Sequence, residues 1–271
     1  MRLGLSSYTF PWAIGVPGHP PDDPLSATTL VRRTRDLGLG LLQIADNLPL
    51  HRLDPASLDA LEAVAIECAV ELEVGTRGIG PELRTYVELA ERFGASFVRL
   101  VVDRGDDRPT PAEAVARLSA YEGAFRACGV RLAVENHDRF RSAELAGVIE
   151  QLGDWVGICL DTVNSFGALE PPRVVVDRLG PLTIALHLKD FTIHRHPHSM
   201  GFEIEGTPAG SGLLDVPWLL AALAEVAVVP TAVLELWTPL EAPLSATIAT
   251  EAAWAEQSIA YLRRHTDLGL R

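Results

Sequence analysis

Cysteine, methionine, basic charge and long apolar runs are all scarce in this 271-residue chain. Cys68, Cys128 and Cys159 are an odd, scattered set with no CxxC spacing, which excludes a disulfide framework. They read as free, mostly buried thiols in a reducing cytoplasm. No stretch reaches the roughly 18 consecutive apolar residues of a membrane span, so no membrane partner is expected. The opening Met1-Arg2-Leu3-Gly4-Leu5 enters a strand-like run without the apolar region of a signal peptide, again pointing to the cytoplasm. Lys and Arg number 23 against 36 Asp and Glu, a formal charge of −13 that argues against DNA or RNA as substrate. Low-complexity tracts and fixed-period repeats are missing as well.

What is present is apolar residue, 48% of the chain, ample for one large core. Short apolar runs occur at Leu3–Ser6, Leu41–Ile44, Leu72–Gly75, Phe97–Val101, Leu132–Glu135, Val156–Asp161, Ile184–Leu188 and Ala232–Glu235. They are near-continuous in hydrophobicity, as strands buried on both faces should be. Helical segments fall between them. Pro111–Phe125 is the clearest, with Thr110 as N-cap and Glu113 completing a capping box. Pro81–Phe93 ends at a plausible C-terminal glycine, Gly94. The alternation predicts a single-domain (β/α)8 TIM barrel over residues 1–271. Two connections are long. Residues 11–24 follow the first strand, and 189–212 follow the seventh, the latter ending in a glycine-rich stretch read as a flexible hinge before a helix at Asp215.

Four of the apolar runs stop on groups that are costly to bury unless paired or metal-bound: Glu135, Asp161, His187 and Glu235. In a barrel these positions lie together at the C-terminal mouth. Three carboxylates and one imidazole form a fairly hard donor set for one divalent ion, Mn2+ first, with Mg2+, Co2+ or Zn2+ as alternatives. A substrate with adjacent oxygens could chelate such an ion, and Glu135 and Glu235 would flank it as an acid/base pair. Proton removal and return gives isomerisation or epimerisation of a small keto sugar or sugar acid through a metal-bound enediolate. The same enolate reached by loss of CO2 gives decarboxylation of a 3-oxo acid.

The motifs Val134-Glu135-Asn136-His137, Leu160-Asp161-Thr162, His187-Leu188-Lys189-Asp190 and Leu234-Glu235 resemble those of the xylose-isomerase-like TIM-barrel superfamily. The resemblance spans nearly the whole chain. It implies that Glu135, Asp161, His187 and Glu235 bind the metal, that the two glutamates double as catalytic groups, and that the partner is a small carbohydrate; it allows a homodimer. The chain departs from the ketose epimerases at two substrate-holding positions. Asn164 stands where they have histidine three residues after the strand-6 aspartate. Arg195, beyond His194, is the nearest arginine after the strand-7 histidine. Residues 42–47 and 200–210 look similar to a subgroup that includes 3-oxo-isoapionate decarboxylases, which makes a metal-dependent decarboxylase or lyase the alternative to a metal-dependent isomerase or epimerase.

Further substrate contacts are expected from Lys189, which shares a face with His187, from His137 beside Glu135, and from Arg99 inside an apolar strand. Trp12, with Tyr8 and Phe10, would form an apolar wall. His194, His196 and His198 could hold a second metal, a weaker reading than loop polarity. Repair-endonuclease chemistry would need more histidines and a basic face, and a non-catalytic sugar-binding barrel would not need the four-ligand set.

Overall fold

The computed structural model describes residues 1–268, so the last three residues of the 1–271 span expected of the barrel lie outside it. Among the described residues ten strands are formed: β1 (Arg2–Ser6), β2 (Leu41–Ile44), β3 (Glu71–Arg77), β4 (Phe97–Val101), β5 (Arg131–Glu135), β6 (Val156–Asp161), β7 (Thr183–Leu188), β8 (Asp190–Arg195), β9 (Phe202–Thr207) and β10 (Thr231–Leu234). Eight of them, all but β8 and β9, close a parallel barrel in the order β1-β10-β7-β6-β5-β4-β3-β2. Their apolar side chains are buried on both faces, towards the barrel axis and towards the helices. β10 stops one residue short of the expected run, yet Glu235 N still donates to Leu188 O at 3.1 Å and keeps its place in the wall.

Local chemistry sets the helix ends. Asp54 and Asp215 accept from backbone N–H groups as N-caps, and Thr110 and Glu113 form the expected capping box. Gly94 closes helix Glu82–Phe93 at φ 69°, a left-handed position that favours glycine. The helix expected over Pro111–Phe125 is two, Pro111–Ser119 and Glu122–Cys128. At the break, Ser119 Oγ donates to Val115 O at 2.8 Å, a bond that bends helices, and Tyr121 Oη is drawn away to Gly80 O at 2.8 Å. Cys68 and Cys128 are only half-buried, contrary to expectation, because each ends a helix near the outer surface; Cys159 is fully buried, and all three are free. Among the described residues no helix is long and apolar enough to cross a membrane.

Both long connections are braced. After β1, a short helix (Pro11–Ile14) is held by Glu251 of helix Leu244–His265, whose carboxylate accepts from Trp12 N at 2.8 Å and Ala13 N at 3.0 Å. After β7, the chain forms an antiparallel hairpin, β8 on β9, projecting from the mouth. The glycine-rich segment behind it is no loose hinge. Asp190 Oδ2 accepts from Gly210 N (2.8 Å) and Gly212 N (3.0 Å), and its Oδ1 from Phe191 N (2.7 Å) and Leu214 N (3.0 Å). A buried carboxylate in want of donors organises the loop.

Two tests follow from these braces. Asp190→Ala should cost about 2–4 kcal/mol, the loss of a charged acceptor serving several amides, and should hasten proteolytic cleavage at residues 208–214; an unchanged urea midpoint would contradict the brace. Burial pushes the Glu251 carboxyl up from 4.5 to about 7, against the opposing pull of the Trp12 and Ala13 amides and of Arg33. Because the folded value lies above the unfolded one, this group's contribution is complete below about pH 4.5 and is lost as pH rises through about 7, up to roughly 3 kcal/mol. Melting temperatures of Glu251→Gln should therefore fall less steeply than those of the parent over that window.

Candidate metal centre and active site

The barrel interior is layered with the two-residue period of a strand. Phe97, Ala133, Cys159 and Ala185 form a buried apolar layer of their own. Two residues further along the same strands stand Arg99, Glu135, Asp161 and His187, all buried. Glu235 follows β10 and completes the ring. The small side chains beneath leave room for charged ones above.

The ring converges on one atom. His187 Nδ1 lies 3.3 Å from Glu135 Oε2, 3.3 Å from Glu235 Oε1 and 3.9 Å from Asp161 Oδ2. Its other nitrogen, Nε2, faces Gln43 Oε1 at 2.8 Å, while Gln43 Nε2 donates to Glu73 Oε2 at 3.0 Å. With the Gln43 amide group committed to Glu73, its carbonyl must accept, so Nε2 carries a hydrogen and Nδ1 is the nitrogen turned to the carboxylates. Nδ1 is buried and has no hydrogen-bond partner. Three carboxylates converging on one imidazole nitrogen call for positive charge at their centre, a proton on Nδ1 or a metal ion held by its lone pair. Asp161, His187 and Glu235 can each bring one donor atom within 4.8 Å of the others, as can Glu135, Cys159 and His187. The donor set therefore fits a divalent ion, with Gln43 and Glu73 orienting the imidazole from behind.

Two cations share the ring with the carboxylates. Arg99 Nε donates to Glu135 Oε2, and Arg99 Nη1 to Asp46 Oδ1 at 2.6 Å. Lys189 Nζ is 2.8 Å from both Asp161 Oδ2 and Glu235 Oε2. At Asp161 Oδ2 this contact is not aligned as a hydrogen bond; Oδ1 accepts from Val163 N and Asn164 N, each at 2.8 Å. Burial opposes charge on Glu135, yet Arg99 and then His187 outweigh it and hold the carboxyl below its ordinary range. Glu235 is likewise lowered against its burial, by His187 and Lys189. Burial would neutralise Lys189, but Asp161 and Glu235 raise it well above an ordinary lysine. Glu135, Glu235 and Lys189 are thus held as ionised groups.

The other expected contacts fall into three groups. Asn164 is in the ring: Nδ2 donates to Glu135 Oε1 at 2.7 Å and Oδ1 lies 3.4 Å from Lys189 Nζ. His137 stands on the rim, between Arg77 Nη2 (3.3 Å) and Asp138 Oδ2 (3.0 Å), with no bond to Glu135. Arg195 is not brought to the ring. It sits exposed on the hairpin, donating to Ser199 O and stacked on Phe202. Trp12 is tied through Nε1 to Thr238 O at 2.8 Å; the indole beside Lys189 is Trp237, with Nζ 5.6 Å from the ring centroid. His194 and His196 pair with Glu203 and Glu205 on the hairpin, and among the described residues both candidate metal-binding groups lie in the barrel instead. Gln43, Glu73, Asp46 and Ser6, which donates to Glu235 Oε1 at 2.7 Å, escaped the sequence reading. Gln43 and Glu73 carried the signal that exposed Arg99, a polar residue inside an apolar strand.

Replacing Gln43 by Leu should weaken Mn2+ or Mg2+ binding about 10–100-fold, the usual loss when the group orienting a histidine ligand is removed. Calorimetric titration reads this directly; unaltered affinity would remove Gln43 from the site.

Three comparisons bear on this geometry. A family model described as xylose isomerase-like TIM barrel matches residues 15–265. A 3-oxo-isoapionate decarboxylase from Pectobacterium atrosepticum is 30% identical over 266 residues, 97% of this chain and 95% of that protein. A xylose isomerase-like TIM barrel protein from Mycobacterium smegmatis, in complex with magnesium, superposes with a TM-score of 0.71 at 16% identity, over 96% of this chain and 97% of that one. A D-psicose 3-epimerase, solved in the presence of D-fructose, also gives 0.71 at 13% identity, over 97% and 98% of the two chains. At such low identity the two solved structures speak to fold alone, whereas the family model and the full-length relative speak to descent. The chain belongs to the xylose isomerase-like TIM-barrel family.

Proposed function

We propose that this protein is a divalent-metal-dependent decarboxylase of a 3-oxo sugar acid. The observation that carries the reading is Lys189, a buried ammonium set among the ring carboxylates 2.8 Å from Asp161 and Glu235. The relative of 30% identity, matched along nearly its whole length, is named for the same class of reaction.

Held by Glu135, Asp161, His187 and Glu235, a divalent ion would supply Lewis acidity at the substrate carbonyl oxygen. The protein's own groups do the rest. Arg99 and Lys189 offer positive charge to the substrate's carboxylate and to the oxygen on which charge develops. The bond between that carboxylate and its neighbouring carbon breaks, its electron pair passes into the enolate, and CO2 leaves. A proton from solvent then fills the vacated position on carbon, while Lys189 keeps its charge. Glu135 is engaged by Arg99 and Asn164, and Glu235 by Lys189 and Ser6. Carboxylates held ionised in this way suit ligation better than proton shuttling.

A second reading, isomerase or epimerase, is favoured by one specific feature: Glu135 and Glu235 approach the same histidine nitrogen from two strands, as an acid/base pair flanking a substrate would. Turnover of 3-oxo sugar acids and ketoses in D2O separates the two. Release of CO2 with deuterium at the vacated carbon is expected. Deuterium beside the carbonyl without loss of mass would establish the second reading. Activity should vanish with chelator and return with Mn2+. Lys189→Met should lower kcat by about 10²–10³ while metal binding persists; full activity in this variant would sink the assigned role.

A further inference from the structure

A second polar cavity opens on the same face of the barrel, above β2, β3 and β4. It measures about 170 Å³ and is lined by Asp46, His51, Arg52, Thr76, Arg77 and Arg104, among others. Three guanidiniums around so small a space stand out in a chain of formal charge −13. Their partners account for few of the donors they carry. Arg77 uses Nε on Asp46 (3.0 Å) and Nη2 on His137 (3.3 Å). Arg104 uses Nη1 on Glu82 at 3.1 Å. The Arg52 guanidinium makes no hydrogen bond or ion pair with any described residue; only the backbone N–H is engaged, donating to Pro49 O at 3.0 Å. Each guanidinium has five N–H donors in a planar fork. Asp46, the acidic wall of the cavity, is shared between Arg77 and Arg99, and those two hold its carboxyl down at about 2 against burial. Its charge is therefore already committed, and the cavity keeps an excess of positive charge.

Asp46 also joins this cavity to the ring, because Arg99 bridges it to Glu135. A substrate whose reacting carbon lies at the ring would extend its other end towards Arg52, Arg77 and Arg104. We infer that this cavity seats a terminal anionic group of the substrate, a phosphate or a carboxylate distal to the bond that breaks. Forked guanidiniums match the paired oxygens of both groups. The inference rests on the proposed reaction only in placing the reacting end of the substrate at the ring; the anion site itself stands on the cavity.

Binding, not turnover, tests it. The full-length chain as purified is titrated calorimetrically with inorganic phosphate and, separately, with malonate. One saturable site is expected, weakened at least tenfold in the double variant Arg52→Ala/Arg104→Ala and unchanged in Arg32→Ala, a control at an exposed arginine elsewhere on the surface. Tighter binding of phosphate than of malonate assigns the site to a phosphorylated substrate; the reverse assigns it to a second carboxylate. No saturable binding of either anion, or binding that survives the double substitution in a folded variant, overturns the inference. A protein that binds the anion but releases no CO2 would instead unseat the proposed reaction and leave this site standing.

Discussion

One imidazole nitrogen faces three carboxylates in the apolar interior of a barrel, and much of the molecule is arranged around that convergence of negative charge. Each of these carboxylates would lose hydration on burial, a cost of several kcal/mol if left unpaired. The fold offsets it with Arg99 and Lys189, with Ser6 and Asn164 as neutral donors, and with the amides at the start of the segment after β6. At the centre of the ring His187 Nδ1 is left without a hydrogen-bond partner. A divalent ion at this point would offset the convergence of carboxylates, and the donor set fits one.

The barrel makes the conflict tolerable by rigidity. Eight parallel strands hold the ring at fixed spacing, and the layer beneath it is built of one phenylalanine, two alanines and one cysteine. Larger side chains there would push the charged layer outward. The brace from Glu73 through Gln43 crosses the barrel to His187, linking β3 and β2 to β7, which are not neighbours in the wall. The imidazole is thereby oriented from a side that carries none of the three carboxylates.

Much of this was legible in the sequence because burial and charge contradict each other. An apolar run that stops on Glu135, Asp161 or Glu235 announces that something compensates the charge, and the alternation of runs with amphipathic segments announces the barrel. Gln43 was not legible in the same way. It is a polar residue in a strand of four, and its partner lies across a barrel whose closure has to be known before the contact can be named. The hairpin was hidden by its composition, since histidines and glutamates alternate there without a buried face to give them a period. The broken helix after Thr110 was hidden because its capping box was sound; at the interruption Ser119 Oγ turns back to Val115 O and Tyr121 Oη reaches the distant Gly80 O. Local chemistry thus revealed the starts of elements better than their ends.

The hairpin has a consequence of a different kind. Asp190 follows directly on Lys189, and its carboxylate ties the returning chain at Gly210, Gly212 and Leu214 back to the foot of the arm. Gly206 lies so close to the Trp237 carbonyl that a Cβ there would stand 2.3 Å from the oxygen, which anchors the second strand at the same level. Everything beyond these anchors, from His194 to Phe202, is solvent-facing. The arm is therefore mechanically insulated from the chemistry at its base, and its tip can change in length and sequence while the active centre stays as it is.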